Sequence, residues 1–244
     1  MSRPELLALF GEDDDQRRVL TRQYFYIPAP SRDGTSSACT EAGCAFLHEP
    51  TVAVLVPSDL PLLSQRRPGF ASLRHVLARF SFMLGRLPPK QAYVSATFTV
   101  TLGHPDAVVR LQRPAWEVPG DAESTDTVTT QFSAAMDSLA KLGAQRTRVK
   151  GTTRHGGQLP VVTAEKRARG DFGWRYEARD GTPLVPRIEY ALAWIELPRE
   201  VTELSGHLSA EAIIEVPRFG VRRALHTMPG APPVLFRLPL GVPQ

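Results

Sequence analysis

The sequence predicts an α+β protein that is mainly antiparallel β, arranged as a sandwich-like or two-layer sheet with one or two amphipathic helices. The chain has 244 residues, of which 22 are proline. Proline breaks helix interiors, so long helices are excluded from most of the chain. Several segments alternate apolar and polar residues with period two, as half-buried strands do. Two other segments place apolar residues three and four positions apart, which is the helical spacing.

The alternating segments are the predicted strands. The clearest is 92–102, where apolar residues alternate with serine and threonine. An uninterrupted apolar run at 52–56, between two prolines, is typical of a buried central strand. The remaining predicted strands are 24–27, 172–178, 188–197, 207–216 and 233–238. The apolar phase of these strands predicts one common core that contains Phe98, Val100, Phe172, Trp174, Trp194, Leu208 and Ile214.

Two segments are predicted to be helices. In residues 69–86 the helical spacing is shared by Phe70, Leu73, Val76, Leu77, Phe80 and Leu84, and two prolines follow. Residues 127–142 show the same spacing and precede Gly143, a residue that favours helix ends. A weaker period of two also runs through 127–142, so a strand stays open there.

The polar, proline-containing stretch 113–126 is the best candidate for a long loop or a domain boundary. It would separate a mixed α+β part, 1–112, from a mainly antiparallel β part, 127–244, although the whole chain could equally form one compact domain. Residues 29–44 are small and polar and predict a second loop.

Compartment and metal binding are judged from the N-terminus and the cysteines. The first apolar stretch is short and runs into Gly11–Asp15, unlike a secretory signal, and no stretch approaches the ~20 apolar residues of a membrane-spanning helix. We therefore expect a cytoplasmic protein without a membrane span.

Cys39 and Cys44 lie in the predicted loop, and with His48 they offer three zinc ligands but no fourth cysteine. No metal is predicted, and a local disulfide stays open.

Charge is unevenly distributed. Residues 1–60 hold five basic and nine acidic residues, whereas 145–187 hold ten basic and four acidic. Such asymmetry creates fields that steer charged partners. The predicted partner-binding residues in this basic segment are Arg146, Arg148, Lys150, Arg154, Arg167 and Arg169. The simpler alternative is that these charges lie on solvated strand faces.

The sequence lacks the motifs of common catalytic and nucleotide sites. It contains no GxxxxGK[ST], GxGxxG, GxSxG or HExxH pattern. We therefore predict no catalytic residues and no cofactor. The predicted function is that of a non-catalytic binding or assembly protein, a subunit or adaptor of a larger complex, whose partner is another protein or a second copy. A hydrolase without a signature motif is one alternative, and a nucleic-acid-associated factor that uses the basic 145–187 segment is another.

Overall fold

A computed structural model describes residues 18–28, 39–55, 72–113, 161–168, 170–179, 182–218 and 221–241. Within these ranges the chain forms β-strands and no α-helix. In chain order the strands are β1 (Val19–Pro28), β2 (Cys39–His48), β3 (Thr51–Leu55), β4 (Leu73–Leu84), β5 (Ala92–Leu102), β6 (Val108–Arg113), β7 (Val161–Ala168), β8 (Asp171–Glu177), β9 (Ile188–Pro198), β10 (Glu203–Arg218), β11 (Val221–His226), β12 (Met228–Pro229) and β13 (Val234–Pro239).

The described strands form two antiparallel sheets. The seven-stranded sheet has the order β12-β1-β2-β4-β9-β6, and β3 pairs with β4 beside β2. The six-stranded sheet has the order β11-β10-β5-β8-β7, and β13 pairs with β10. Both sheets contain strands from before residue 113 and strands from after residue 160. Early and late parts of the chain are therefore interleaved in each sheet.

The two sheets share one hydrophobic core. Phe82 of β4 stacks on Phe98 of β5, with ring centroids 3.4 Å apart and ring planes 14° apart. All seven residues predicted for the core are buried. Six of them belong to one cluster, whereas Trp194 is buried outside it, 5.9 Å from the His75 ring. The strands predicted from alternation are confirmed as parts of β1, β5, β8, β9, β10 and β13. The apolar run 52–56 was predicted to be a buried central strand. Its described part is the strand β3, but the central position is wrong, because among the described strands β3 pairs with β4 alone and buries two of its five residues.

The predicted helix over 69–86 is wrong, because its described part is the strand β4. This strand pairs with β9 along nearly its whole length, from Leu73 to Met83. Both of its faces are buried: Phe80 packs into the shared core, and Leu77 is fully buried on the opposite face. A strand covered on both sides does not alternate, and its apolar run also fits the helical spacing. The α+β class is therefore incorrect; the second predicted helix, 127–142, lies outside the described residues.

The cysteines were expected in a loop, which is also wrong, because both lie on β2. Cys39 is exposed, Cys44 is buried, and both are free thiols. One small residue of the predicted loop, Gly43, lies where strands pack closely, and Gly85 packs against the same strand. A Cβ atom on Gly43 would overlap the Tyr93 hydroxyl, and one on Gly85 would overlap the Cys44 Sγ. Composition alone does not separate a crowded strand from a loop.

In one stretch of β10, side chains replace a neighbouring strand as hydrogen-bond partners of the backbone. β13 pairs with β10 up to Leu208, and β11 begins to pair at Ile213. Between these points the Ala210 amide donates to Gln23 Oε1 at 2.9 Å, and the Ala212 amide donates to Thr227 Oγ1 at 3.1 Å. We call this pair of contacts the Gln23–Thr227 seam. Because Gln23 belongs to β1, the seam ties the two sheets together.

Candidate interaction surface

Among the described strands of more than two residues, β11 is the most exposed. Five of its six residues are exposed. Val221, at 61%, is the most exposed large apolar side chain in the described ranges. Among the described strands β11 pairs with β10 alone, so one row of its backbone groups faces outward. Such a row is a ready template for another strand.

The β10–β11 hairpin extends beyond the rest of its sheet. The pairing of β5 with β10 ends at Ala92 opposite Glu215. The pairs that follow, from Val216 opposite Arg223 to Arg218 opposite Val221, belong to the hairpin alone. The end of the hairpin is therefore paired only with itself, and Val221 lies on this part. Val216, opposite Arg223, is still buried in the core cluster.

The surface around β11 is basic. Residues 216–244 hold four arginines and no aspartate or glutamate. Arg222 Nη1 lies 3.2 Å from Glu215 Oε2 across the hairpin, an exposed ion pair that contributes little stability. On the opposite face of the strand, Arg223 stands between Val221 and Leu225, and no residue of the described ranges forms an ion pair with it. We call Val221, Arg223, Leu225 and the outward backbone of β11 the β11 edge.

The predicted partner-binding residues are mostly outside the described part of the chain. Arg146, Arg148, Lys150 and Arg154 lie within 114–160, and Arg169 also falls outside the described residues. Arg167 belongs to β7, at the other side of the six-stranded sheet, and its side chain is not described. The basic stripe therefore stays a prediction.

Other basic residues of the 145–187 segment form contacts within the fold. Lys166 Nζ donates to the Val109 carbonyl at 3.0 Å and so connects β7 with β6 of the other sheet. Arg175 pairs with Glu165 at 2.6 Å, and Arg187 pairs with Glu189. Part of the apparent excess of positive charge thus serves the protein's own structure.

The sequence analysis missed the β11 edge for an identifiable reason. β11 is short and mostly exposed, so it has no apolar alternation to mark it as a strand. The available signal was the absence of acidic residues after position 215, which a count over 145–187 does not include.

A buried histidine–carboxylate pair is the arrangement most like a catalytic group. His75 Nδ1 lies 3.7 Å from Glu196 Oε1, and Arg110 Nε donates to Glu196 Oε2 at 2.6 Å. His75 and Glu196 side chains are each only 3% exposed, so a substrate does not reach them in this conformation. Together with Arg110 of β6, His75 of β4 and Glu196 of β9 connect three neighbouring strands. Within the described residues no three metal-ligating side chains lie close enough to hold an ion.

The buried thiol of Cys44 contacts an arginine side chain of the neighbouring strand. Arg22 Nε donates to Cys44 Sγ at 3.2 Å, and this hydrogen bond raises the pKa of the guanidinium. The same guanidinium lies 4.8 Å from the centre of the Tyr24 ring and 5.3 Å from that of Phe46. These cation–π contacts join neighbouring strands at the surface.

A half-buried carboxylate, that of Glu189, lies at one end of the core. Burial raises the pKa of Glu189, while the nearby Arg187 guanidinium opposes that shift. Burial, and then the charge of Glu189, raise the pKa of Tyr176, whose buried hydroxyl has no hydrogen-bond partner among the described residues. This end of the core therefore contains a carboxylate that holds its proton more tightly than an exposed one.

None of the described segments folds into a helix with the length and hydrophobicity needed to cross a membrane. No protein-family model matches the chain, and no curated protein matches it.

Solved structures offer only a distant likeness. The chain is similar to the Clostridium perfringens NetB toxin in its membrane-inserted form, at 6% identity over 89% of this chain and 94% of that chain, with a TM-score of 0.35. It is also similar to a structure described as a pore forming protein, at 7% identity over 88% and 89% of the two chains, again with a TM-score of 0.35. A likeness at this level supports no conclusion about the function of the chain.

Proposed function

We propose that the protein is a non-catalytic binding protein that associates with a polypeptide through the β11 edge. The observation that carries the proposal is an edge strand with five of its six residues exposed and with Val221 facing solvent, while Leu225 packs against the core. Edge strands of native proteins are usually short, covered or twisted away, because an open edge invites pairing. An added strand would gain backbone hydrogen bonds from β11 and side-chain specificity from alternate residues.

The other outer strands of the described sheets are less suited to this role. β12 has only two residues. The outer strand β6 buries half of its residues, and the described side chains of β7 are mainly half-buried. β13 buries two of its six residues and β3 two of its five, whereas β11 buries none. β11 is therefore the edge that is most accessible to a partner.

Site-specific crosslinking tests the proposal. A photoreactive amino acid in place of Val221 should form a discrete adduct with one protein in the expressing cell, because this position faces a bound strand. Leu235 is the matched control, since it is also an exposed apolar residue on an outer strand of the same sheet, but on β13. Absence of an adduct at position 221, or identical adducts at both positions, would contradict the proposal.

The same cells also test the nucleic-acid alternative and the predicted location. Adducts with nucleic acid rather than protein would favour the nucleic-acid alternative. The cytoplasmic location stays a prediction, and fractionation of the same cells measures it.

A further inference from the structure

We infer that the β11 edge accepts an extended acidic segment of a different polypeptide, and not a second copy of β11. This inference rests on the proposed function and specifies its partner. The pairing with β10 fixes the orientation of the side chains, because opposing residues of antiparallel strands point to the same face. Val221, Arg223 and Leu225 consequently share one face, and Arg222, Ala224 and His226 share the other.

Charge disfavours the pairing of two β11 strands. A twofold pairing within one continuous sheet must match faces, so odd-numbered residues oppose odd-numbered residues. Centred on position 222 or 223, it places Arg222 or Arg223 directly opposite the same residue of the second copy. Centred on Ala224, it leaves the two Arg223 side chains as diagonal neighbours, roughly 7–8 Å apart. In the first two registers like charges stand directly opposite each other, which destabilises a strand pair. In the third the two Arg223 side chains repel each other diagonally, at longer range and with more screening.

The face formed by Val221, Arg223 and Leu225 determines which side chains a suitable partner strand needs. A carboxylate opposite Arg223 would form the ion pair that the described residues do not supply, and an arginine can bind it through two parallel hydrogen bonds. Apolar residues two positions to either side would cover Val221 and Leu225. The expected partner motif is thus apolar, any, acidic, any, apolar. This motif is symmetric, so it fits parallel and antiparallel pairing equally.

The opposite face of β11, with Arg222, Ala224 and His226, constrains the partner sequence less. Arg222 is already paired with Glu215 across the hairpin, so this face contributes less unpaired charge. Specificity should therefore depend on the central acidic residue of the motif and much less on the residues next to it.

Synthetic peptides test the inference on the full-length protein. The probe is a capped nine-residue peptide with Val-Thr-Glu-Thr-Val at its centre. One control replaces Glu with Lys, and the other, Val-Glu-Thr-Thr-Val, keeps the composition but moves the acid to the opposite face. Fluorescence anisotropy should show the first peptide binding about tenfold more tightly than the Lys peptide, and less so at high salt. Arg223→Glu should reverse this order, with an unchanged unfolding midpoint as the folding control.

The possible failures are distinguishable. Equal binding of the Glu and Lys peptides, or an unchanged order in Arg223→Glu, overturns the acidic partner while the edge proposal stands. No binding by any peptide, together with a protein adduct at position 221, overturns the extended-strand inference alone. A protein that sediments as a dimer, and becomes monomeric with Val221→Asp, overturns the exclusion of a second copy.

Discussion

Glu189 shows how position determines the proton affinity of a carboxyl group. It lies near the start of β9, opposite Phe82, where burial raises its pKa despite the pairing with Arg187. Burial disfavours a charged carboxylate, and a nearby cation favours it. At Glu189 burial has the larger effect.

The raised pKa of Glu189 predicts a pH dependence of stability. Between the ordinary value of 4.5 and the raised value, the folded protein binds a proton that the unfolded chain releases. The free energy of unfolding should therefore fall as pH increases through this window, and Glu189→Gln should remove that part of the slope. Urea unfolding at a series of pH values from 4 to 7 measures it. The exposed Glu177→Gln serves as the control, and equal slopes in both variants would contradict the prediction.

At the scale of elements, predictability depended on how many faces of a strand are covered. β5 and β10 each have one buried and one polar face, so alternation located both of them. β4 buries both faces, and its apolar run resembled a helix. β2 is crowded by neighbouring strands, and its small residues resembled a loop. Both β4 and β2 are strands because of contacts with strands that are distant in the sequence, and a local sequence pattern does not contain those contacts.

The candidate site was less predictable than the fold. The basic character of the chain was visible in the composition, but the exposure of β11 depends on its outermost place in the described sheet, beside β10. That strand order is a tertiary property. Only the absence of acidic residues after position 215 indicated the surface beforehand.

Close strand packing predicts a strong effect at Gly173 of β8. A Cβ atom there would overlap the carbonyl oxygen of Phe98, and β5 has little freedom to move because β8 and β10 pair with its two sides. Gly173→Ala should lower the free energy of unfolding by about 1–3 kcal/mol, the usual cost of overpacking. In Gly241→Ala the added atom meets nothing within 4 Å, so stability should be unchanged. Equal urea midpoints for the two variants would contradict this account.

At the scale of the whole molecule, the two sheets behave as one unit because they share a core and a seam. The core cluster includes residues of both sheets. Gln23 from β1 satisfies the Ala210 amide on β10, and Gln23 Nε2 reaches the Ala231 carbonyl at 3.4 Å. Thr227 Oγ1 both accepts from the Ala212 amide and donates to its carbonyl. The Ala212 carbonyl also accepts from the Thr227 backbone amide at 3.0 Å.

Removing the Thr227 hydroxyl should weaken both sheets together. Thr227→Val keeps the shape but leaves the Ala212 amide without its acceptor, at a cost of about 1–3 kcal/mol. Thr227→Ser keeps the hydroxyl and should cost less. Hydrogen exchange should show reduced protection in β1 as well as in β10. A loss of protection confined to β11–β13 would show instead that the sheets unfold independently.

The interleaving of the strands has a consequence during translation. β12 completes the pairing of β1, β13 completes that of β10, and the Leu240 amide closes onto the Thr202 carbonyl at 2.8 Å. Sheets that depend on pairings between distant residues form slowly, and incomplete sheets expose edges and apolar faces that promote aggregation. A nascent chain therefore carries the open edges of β1 and β10 until residues 228–240 have left the ribosome. For this protein, the period before the last strands emerge is the one in which protection by a chaperone matters most.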